Sequence, residues 1–382
     1  PLTRSAADAV LPFPHIHELE TIPYELELPL TPTRTVPLGL GWERTVPSAT
    51  YTLPPGVTLT QGQEVLRFVH DLLIGPYGAI SMGLAYGLAI VLPIVATFFL
   101  LFSVMEDSGY LPRLAVMVNR MFRTMGLNGK AVLPMILGLG CDTMATMTTR
   151  ILETRKQRLI VTLLLALGVP CSAQLGVLLA MVSHVTPTGT LVWLLTITGV
   201  MVSVGWLASR LFPGENSDFV LELPPIRRPV ISNIAIKTIA RVEWYLREVL
   251  PLFLLGTLIL FLFDRTGTLV VLRDLAAPVV ERWLGLPRAA ADAFIVGFLR
   301  RDYGAVFLLQ AASGPNPTLN GTQVLVSMIV ITLFVPCVAN VFIIVKEHGW
   351  KIATAMAAFI FPFAFFVGGV VRFVSRWLGL EY

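Results

Sequence analysis

After residue 68 the chain is a succession of long apolar runs separated by short polar loops. The first run, about 79–105, exceeds the ~20 residues a helix needs to cross a bilayer, and Pro93 predicts a kink within it. A helical, basic, Met-rich stretch to Lys130 reads as interfacial. An apolar segment at 131–149 follows, then a basic loop with Arg150, Glu153, Arg155, Lys156 and Arg158. Runs at 159–182 and 190–212 predict two more spans. Beyond a polar loop with Pro224-Pro225 and Arg227-Arg228, a long helix is predicted over about 231–263, amphipathic first and apolar later. A short apolar segment at 289–312, interrupted by Arg300-Arg301-Asp302, and spans at about 322–345 and 352–378 complete the chain.

The pattern centres on Leu137 to Gln174. Two apolar segments flank the basic loop, and each holds a break with a cysteine in it. These are Gly138-Leu139-Gly140-Cys141-Asp142 and Gly168-Val169-Pro170-Cys171-Ser172. Glycine and proline interrupt helices and leave backbone carbonyls and amides unpaired. In a bilayer such groups persist only where protein or a wet cavity satisfies them. Thiol, carboxylate and free carbonyls at one depth predict an ion site.

The two halves repeat. Glu106-Asp107-Ser108-Gly109 resembles Asp264-Arg265-Thr266-Gly267, and Gly126-Leu127 resembles Gly285-Leu286. Ile136-Leu137-Gly138 resembles Ile295-Val296-Gly297, and Pro170-Cys171 resembles Pro336-Cys337. The order is kept, which predicts a duplicated unit. If 131–149 and 289–312 dip in and return, one side of the membrane carries 16 Lys and Arg against 12 on the other. The positive-inside rule then favours two re-entrant hairpins. Three full crossings per unit would invert one unit against the other.

Composition sharpens the class. The chain of 382 residues is 55% apolar and 14% charged, with mean hydropathy +0.75. Soluble domains carry about 25% charged residues, so this is an integral membrane protein. The net charge of +4 sits in short loops as topology signals do, and no nucleic acid partner is implied. Three cysteines in apolar segments argue against a disulfide framework. Residues 1–68 differ, with ten prolines and alternating runs such as Tyr24 to Leu28, and predict an extended extramembrane segment. His15 and His17 there read as solvated surface residues. The start at Pro1, without an initiator Met or a signal-peptide pattern, predicts a fragment or processed product.

The fold class expected is an all-α integral membrane protein of two repeated helical units, inverted, each with a broken or re-entrant gate segment. The expected domains are a Pro-rich segment 1–68, a first gate repeat 69–212, a polar linker 213–235 and a second gate repeat 236–382.

Cys141 and Asp142 are the sharpest pair. A charge inside an apolar segment faces a partner or a cavity. Thiolate, carboxylate and carbonyl together suit a first-row divalent metal better than Mg2+. The plainer alternative makes Cys141 core filler and Asp142 a helix cap. Cys171 and Cys337, each after a proline (Pro170, Pro336), complete the expected metal set. Gly138, Gly140, Met144, Ser172 and Asn340 are expected to line the pathway or gate, with Met147 and Gln174 beside them. Arg301 and Asp302, with Arg300, are expected to form an internal ion pair or latch. Glu106 and Asp107 at a membrane boundary either collect cations or pair with Arg113. No Gly-x-x-x-x-Gly-Lys-Ser/Thr phosphate loop, dinucleotide fingerprint or hydrolase triad is visible, so an enzyme is not expected.

The ordered motifs MEDSGYLPR (Met105 to Arg113), NGKAVLP, GLGCDTMATMTTRILETRKQRL, VPCSAQLGV, IVGFLRRDYG and LFVPCVAN resemble the membrane region of the ferrous iron transport protein B family over about 70–382. That resemblance implies Fe2+ as cargo across the prokaryotic plasma (inner) membrane, multi-pass. It also implies coupling to a GTP-binding domain, in cis upstream or as a separate protein, with small accessory proteins and a homo-oligomer as further expected partners. Where many family members carry Val-Pro one residue after the first motif cysteine, this chain has Thr143-Met144 following Asp142, which adds a carboxylate and a thioether. The rivals are a gate-domain carrier of nucleoside or another small solute, a carrier of Mn2+ or Zn2+, and a membrane scaffold for a soluble GTPase.

Overall fold

The computed structural model describes residues 34–37, 43–46, 69–70, 72–73, 79–85, 87–213, 228–266, 268–299, 301–313, 319–334 and 337–377. The chain divides into two units, Pro1–Thr58 and Leu59–Tyr382. The first contributes an antiparallel hairpin, β1 (Arg34–Pro37) with β2 (Glu43–Val46), in register Arg34 opposite Val46. This agrees with an extended segment. His15, His17, Tyr24 to Leu28 and Pro54-Pro55 lie outside the described residues, as do Arg300, Pro336 and most of the 213–235 linker.

The second unit is helical throughout its described residues. Wide π-type turns at Ala79–Ala85 and Gly87–Val91 lead into α1 (Leu92–Asp107). Next come α2 (Tyr110–Thr124), α3 (Val132–Gly140) and α4 (Asp142–Thr148). Helices α5 (Arg155–Gly168), α6 (Ser172–Val182) and α7 (Pro187–Leu211) close the first half. The second half holds α8 (Ile231–Trp244), continued through a π turn into α9 (Leu250–Arg265), and then α10 (Thr268–Pro278). It ends with α11 (Ala289–Leu299), α12 (Arg301–Ser313), α13 (Gly321–Leu333), α14 (Val338–His348) and α15 (Trp350–Trp377). Helix α8 starts at Ile231, so the last residues of the expected linker are helical.

Among the described residues, four helical runs are long and apolar enough to cross a bilayer, or five if the bent pair α5–α6 is one span. Two short pairs behave differently. The nine residues of α3 rise only about 13 Å, under half of a ~30 Å hydrocarbon core. Lys130 just before α3 forms an ion pair with Glu153 just after α4. The two arms therefore begin and end at one level, as a hairpin. In the second half, a Cβ on Gly304 would stand 2.5 Å from the Ala293 carbonyl oxygen and 2.6 Å from Gly297 Cα, so α11 and α12 run in backbone contact.

The halves also agree in local conformation. Gly126 and Gly285 both take positive φ, 68° and 66°, which glycine adopts without a Cβ penalty. Each is followed by a buried leucine, Leu127 or Leu286, whose amide donates back to the preceding helix, to the Phe122 or Val280 carbonyl. The packing is reciprocal as well. The second arm of the first hairpin, α4, lies against α14, and the second arm of the other hairpin, α12, lies against α6. Helices α5 and α13 form the centre. Every residue from Val324 to Leu333 is buried, as is every residue from Ile160 to Gly168. A helix apolar all round belongs in an interior.

Candidate functional site

Four half-helices start at one place. Cys141 is the N-cap of α4, Cys171 of α6 and Cys337 of α14, while Arg301 is the first residue of α12. Each cysteine has extended ψ, between 115° and 164°, and its sulfur faces the backbone amide three residues on, at Met144, Gln174 or Asn340. All three are free and half-buried.

The first break differs from the expectation in one respect. Helix α3 continues through Gly138, Leu139 and Gly140, and only Cys141, at φ −154° and ψ 115°, leaves the helix. The glycines serve close approach instead. A Cβ on Gly138 would meet Leu165 Cδ2 at 2.5 Å and Val169 Cγ1 at 3.0 Å, and one on Gly140 would enter the Phe98 ring.

At the centre Arg301 donates from Nη1 to Asp142 Oδ2 at 2.5 Å, and both side chains are almost wholly buried, at 3% and 4% exposure. The expected latch exists, but its partner is the carboxylate of the other hairpin. The same guanidinium reaches the Val169 carbonyl (3.2 Å) at the α5–α6 break and the Thr332 (3.1 Å) and Phe334 (3.0 Å) carbonyls at the α13–α14 break. One side chain thus touches three of the four breaks. The other exposed carbonyls are also answered by site side chains. Ser172 Oγ donates to Gly140 O at 3.1 Å, and Gln174 Nε2 donates to Ile331 O at 2.7 Å. This is how interrupted helices survive away from water.

Asp142 and Arg301 are N1 residues of α4 and α12 and stand 159 residues apart, the spacing that also relates Gly126 to Gly285. The ion pair therefore joins two positions that share the spacing of the sequence matches between the halves. Gln174 and Asn340 each lie three residues after a break cysteine, and both are fully buried. Thr146 donates to Asn340 Oδ1 at 3.0 Å, while Asn340 Nδ2, Gln174 Oε1 and Asp142 Oδ1 have no partner among the described residues.

Cys337 lies within electrostatic reach of Cys141, Asp142 and Arg301, and Cys171 within reach of Asp142, Arg301 and Asp302. Among the described residues, however, no three His, Cys, Asp or Glu side chains close to metal-holding distance. The expected metal set surrounds the ion pair without forming a shell.

A cavity of about 460 Å³ opens beside α4, lined by Leu137, Met144, Met147, Thr148, Glu106 and Arg241 among others. It connects the membrane boundary with the neighbourhood of the first break. Glu106 is held by Arg241 (2.7 Å) and Lys237 (3.1 Å), not by Arg113, and Asp107 Oδ2 accepts the Val230 amide (2.8 Å). The two basic partners sit i,i+4 on α8, a spacing that puts them on one helix face. That spacing was readable beforehand, but which acid they would meet was not. Thr146 and the Val169 and Thr332 carbonyls were also missed, because nothing local marks them as contacts.

The comparisons with known proteins converge on this region. The Gate family model, described as nucleoside recognition, matches residues 88–185, and the model for the ferrous iron transport protein B C terminus matches 190–241. The Fe(2+) transporter FeoB of Staphylococcus aureus is 29% identical over 337 residues, covering 80% of this chain and 50% of that protein. The Fe(2+) transport protein A/Fe(2+) transporter FeoB fusion protein of Porphyromonas gingivalis is 33% identical over 182 residues, 46% of this chain and 21% of that protein. The FeoB of Legionella pneumophila is 33% identical over 159 residues, 40% and 21%. The chain spans half or less of the length of these relatives. A solved structure of CNTnw in an inward-facing substrate-bound state aligns with TM-score 0.42 at 16% identity, covering 81% of this chain and 80% of that one. The likeness to ferrous iron transport protein B holds over most of this multi-pass membrane chain.

Proposed function

We propose that this chain is the membrane gate region of a ferrous iron transporter of the prokaryotic inner membrane, and that Fe2+ passes between its two halves at the four half-helix starts. The observation that carries the proposal is the convergence of Cys141, Cys171 and Cys337 on the N-caps around Asp142. Thiolates are the soft ligands that select a late first-row ion over Mg2+ or Ca2+. Each sits at a helix N-terminus, where the backbone dipole favours negative charge. The relatives named as Fe(2+) transporters support the cargo.

The path runs from the Glu106 boundary through the cavity past Met147 and Met144 to Cys141. The carboxylate attracts the hydrated ion. The thioethers and then the thiols replace its water. The two halves, inverted with respect to each other, divide at this point into gate repeats 69–212 and 236–382. Each hairpin seals one side, in the way that broken helices work in alternating-access carriers. Energy coupling comes from a GTP-binding domain, either preceding this region or as a separate protein. The Fe(2+) transport protein A portion of the Porphyromonas gingivalis fusion supports a small accessory protein as a further partner.

Fe2+ uptake into proteoliposomes tests this, comparing wild type with Cys141→Ser and Cys337→Ser in the presence of the cognate G protein. Uptake falls at least tenfold in both variants if thiols form the path, since losing even a group that only hydrogen-bonds a metal ligand costs about ten- to a hundredfold. Unchanged uptake would refute it. The second reading, a nucleoside carrier, draws on the Gate match and on the buried amides Gln174 and Asn340. It predicts uptake of labelled nucleoside that survives both Cys→Ser changes.

A further inference from the structure

We infer that Arg301 is a tethered stand-in for the transported cation, and that loading the site is an exchange of Fe2+ for its guanidinium. The inference rests on the proposed metal path and adds a regulatory residue to it.

Four observations lead there. First, the guanidinium holds the acceptors a cation would seek: Asp142 Oδ2 and the Val169, Thr332 and Phe334 carbonyls. Second, those acceptors come from the α3–α4 hairpin, the bent pair α5–α6 and the end of α13, so one group ties three junctions together. Third, the pair is neutral as it stands and almost wholly buried. Adding a divalent ion beside Arg301 would place like charges together in a poorly solvated interior, where each penalises the other. Fourth, among the described residues the thiols surround the pair but do not close into a coordination shell, and Asp142 Oδ1 faces no partner. The shell is one guanidinium away from closing.

The consequence is a built-in coupling. With no ion bound, Arg301 pins the starts of α4 and α12 to the breaks at Val169 and Phe334, and neither hairpin moves alone. An ion that takes Asp142 and the thiols displaces Arg301 and frees the Val169, Thr332 and Phe334 carbonyls together. Release of the ion lets the guanidinium return. The exchange also explains selectivity against weak binders. A monovalent ion offers no more charge than the arginine already present and cannot evict it.

Arginine is suited to this task and lysine less so. A planar fork can bridge a carboxylate and several carbonyls, whereas an ammonium is a point charge.

The test is anaerobic Fe2+ binding to the purified full chain in detergent by equilibrium dialysis, for wild type, R301Q, R301K and C141S. Removing the competitor removes the exchange penalty, so R301Q binds about tenfold tighter than wild type. R301K binds about threefold tighter, because the ammonium yields the carbonyls more readily. R301Q transports more slowly, since the ion no longer has a returning competitor, and R301K, with a weaker competitor, falls between it and wild type. Should R301Q fail to fold, R301K decides, as it keeps the buried charge. If wild type binds Fe2+, C141S does not, and both arginine variants bind equally or more weakly, the metal path stands and the exchange is overturned. If wild type does not bind, or C141S binds as wild type does, the metal path falls and the exchange with it.

Discussion

The two hairpins are built alike and carry opposite charges at the same position. In α3–α4 the residue after the break is Asp142, and in α11–α12 it is Arg301. A duplicated unit that brings equivalent positions face to face would oppose two like groups. Here the two positions carry a complementary pair, and that pair is the most buried charge contact at the site. The arms also differ in closeness. The second hairpin presses backbone on backbone at Gly304, whereas the first rests Gly138 on the flexible ends of Leu165 and Val169. A stiffer second hairpin is the expectation that follows, with the cavity of the proposed path lying beside the first.

Breaking the charge complementarity has the largest expected effect. Asp142→Ala leaves a guanidinium buried without its counter-charge and destabilises the protein by about 3–5 kcal/mol. The swapped double variant Asp142→Arg with Arg301→Asp recovers most of this loss if the two positions are equivalent. Thermal unfolding in detergent, followed by tryptophan fluorescence, measures both. A swap no better than the single change would show that the surrounding carbonyls, and not the partner charge, set the orientation.

The glycines sharpen the comparison of stiffness. Gly304→Ala places a methyl against the Ala293 carbonyl and Gly297 Cα, atoms that cannot rotate away, and costs about 1–3 kcal/mol. Gly138→Ala meets only side-chain ends and loses less. Gly176→Ala, where nothing lies within 4 Å, loses nothing. Unfolding midpoints in that order support a rigid second hairpin, and a larger loss at Gly138 than at Gly304 would reverse the assignment.

The smallest effect is expected at the rim. The Glu106 contacts to Arg241 and Lys237 are partly exposed, so Glu106→Gln shifts stability by less than about 1 kcal/mol. Its effect is on uptake, which becomes slower at low Fe2+ and is restored by higher Fe2+. An unchanged concentration dependence would remove Glu106 from the path.

Much of the architecture was legible from periodicity. Apolar length marked the spans, and Gly or Pro with cysteine marked the breaks at Cys141, Cys171 and Cys337. The short hairpins were favoured by the Lys and Arg bias alone, and the Lys130–Glu153 pair now closes the first one. Other features were misplaced. Glu106 was expected either to collect cations or to pair with Arg113, close in sequence; its carboxylate instead meets Lys237 and Arg241 more than 130 residues away. Gly138 and Gly140 were taken as unwinding points, yet both stay helical because their missing side chains make room for Leu165 and Phe98.

The sequence by itself determined that this chain lives in a bilayer and where its apolar runs are interrupted. Those properties follow from local chemistry: transfer of apolar side chains out of water, and the backbone limits of glycine and proline. Only the tertiary structure decided which charge answers which. Arg301 donates to Asp142 and to carbonyls as far as 132 residues away, and it does so because the interior offers no water to satisfy any of them. In a membrane interior each buried donor must find an acceptor within the protein, and that choice depends on which helices are brought together.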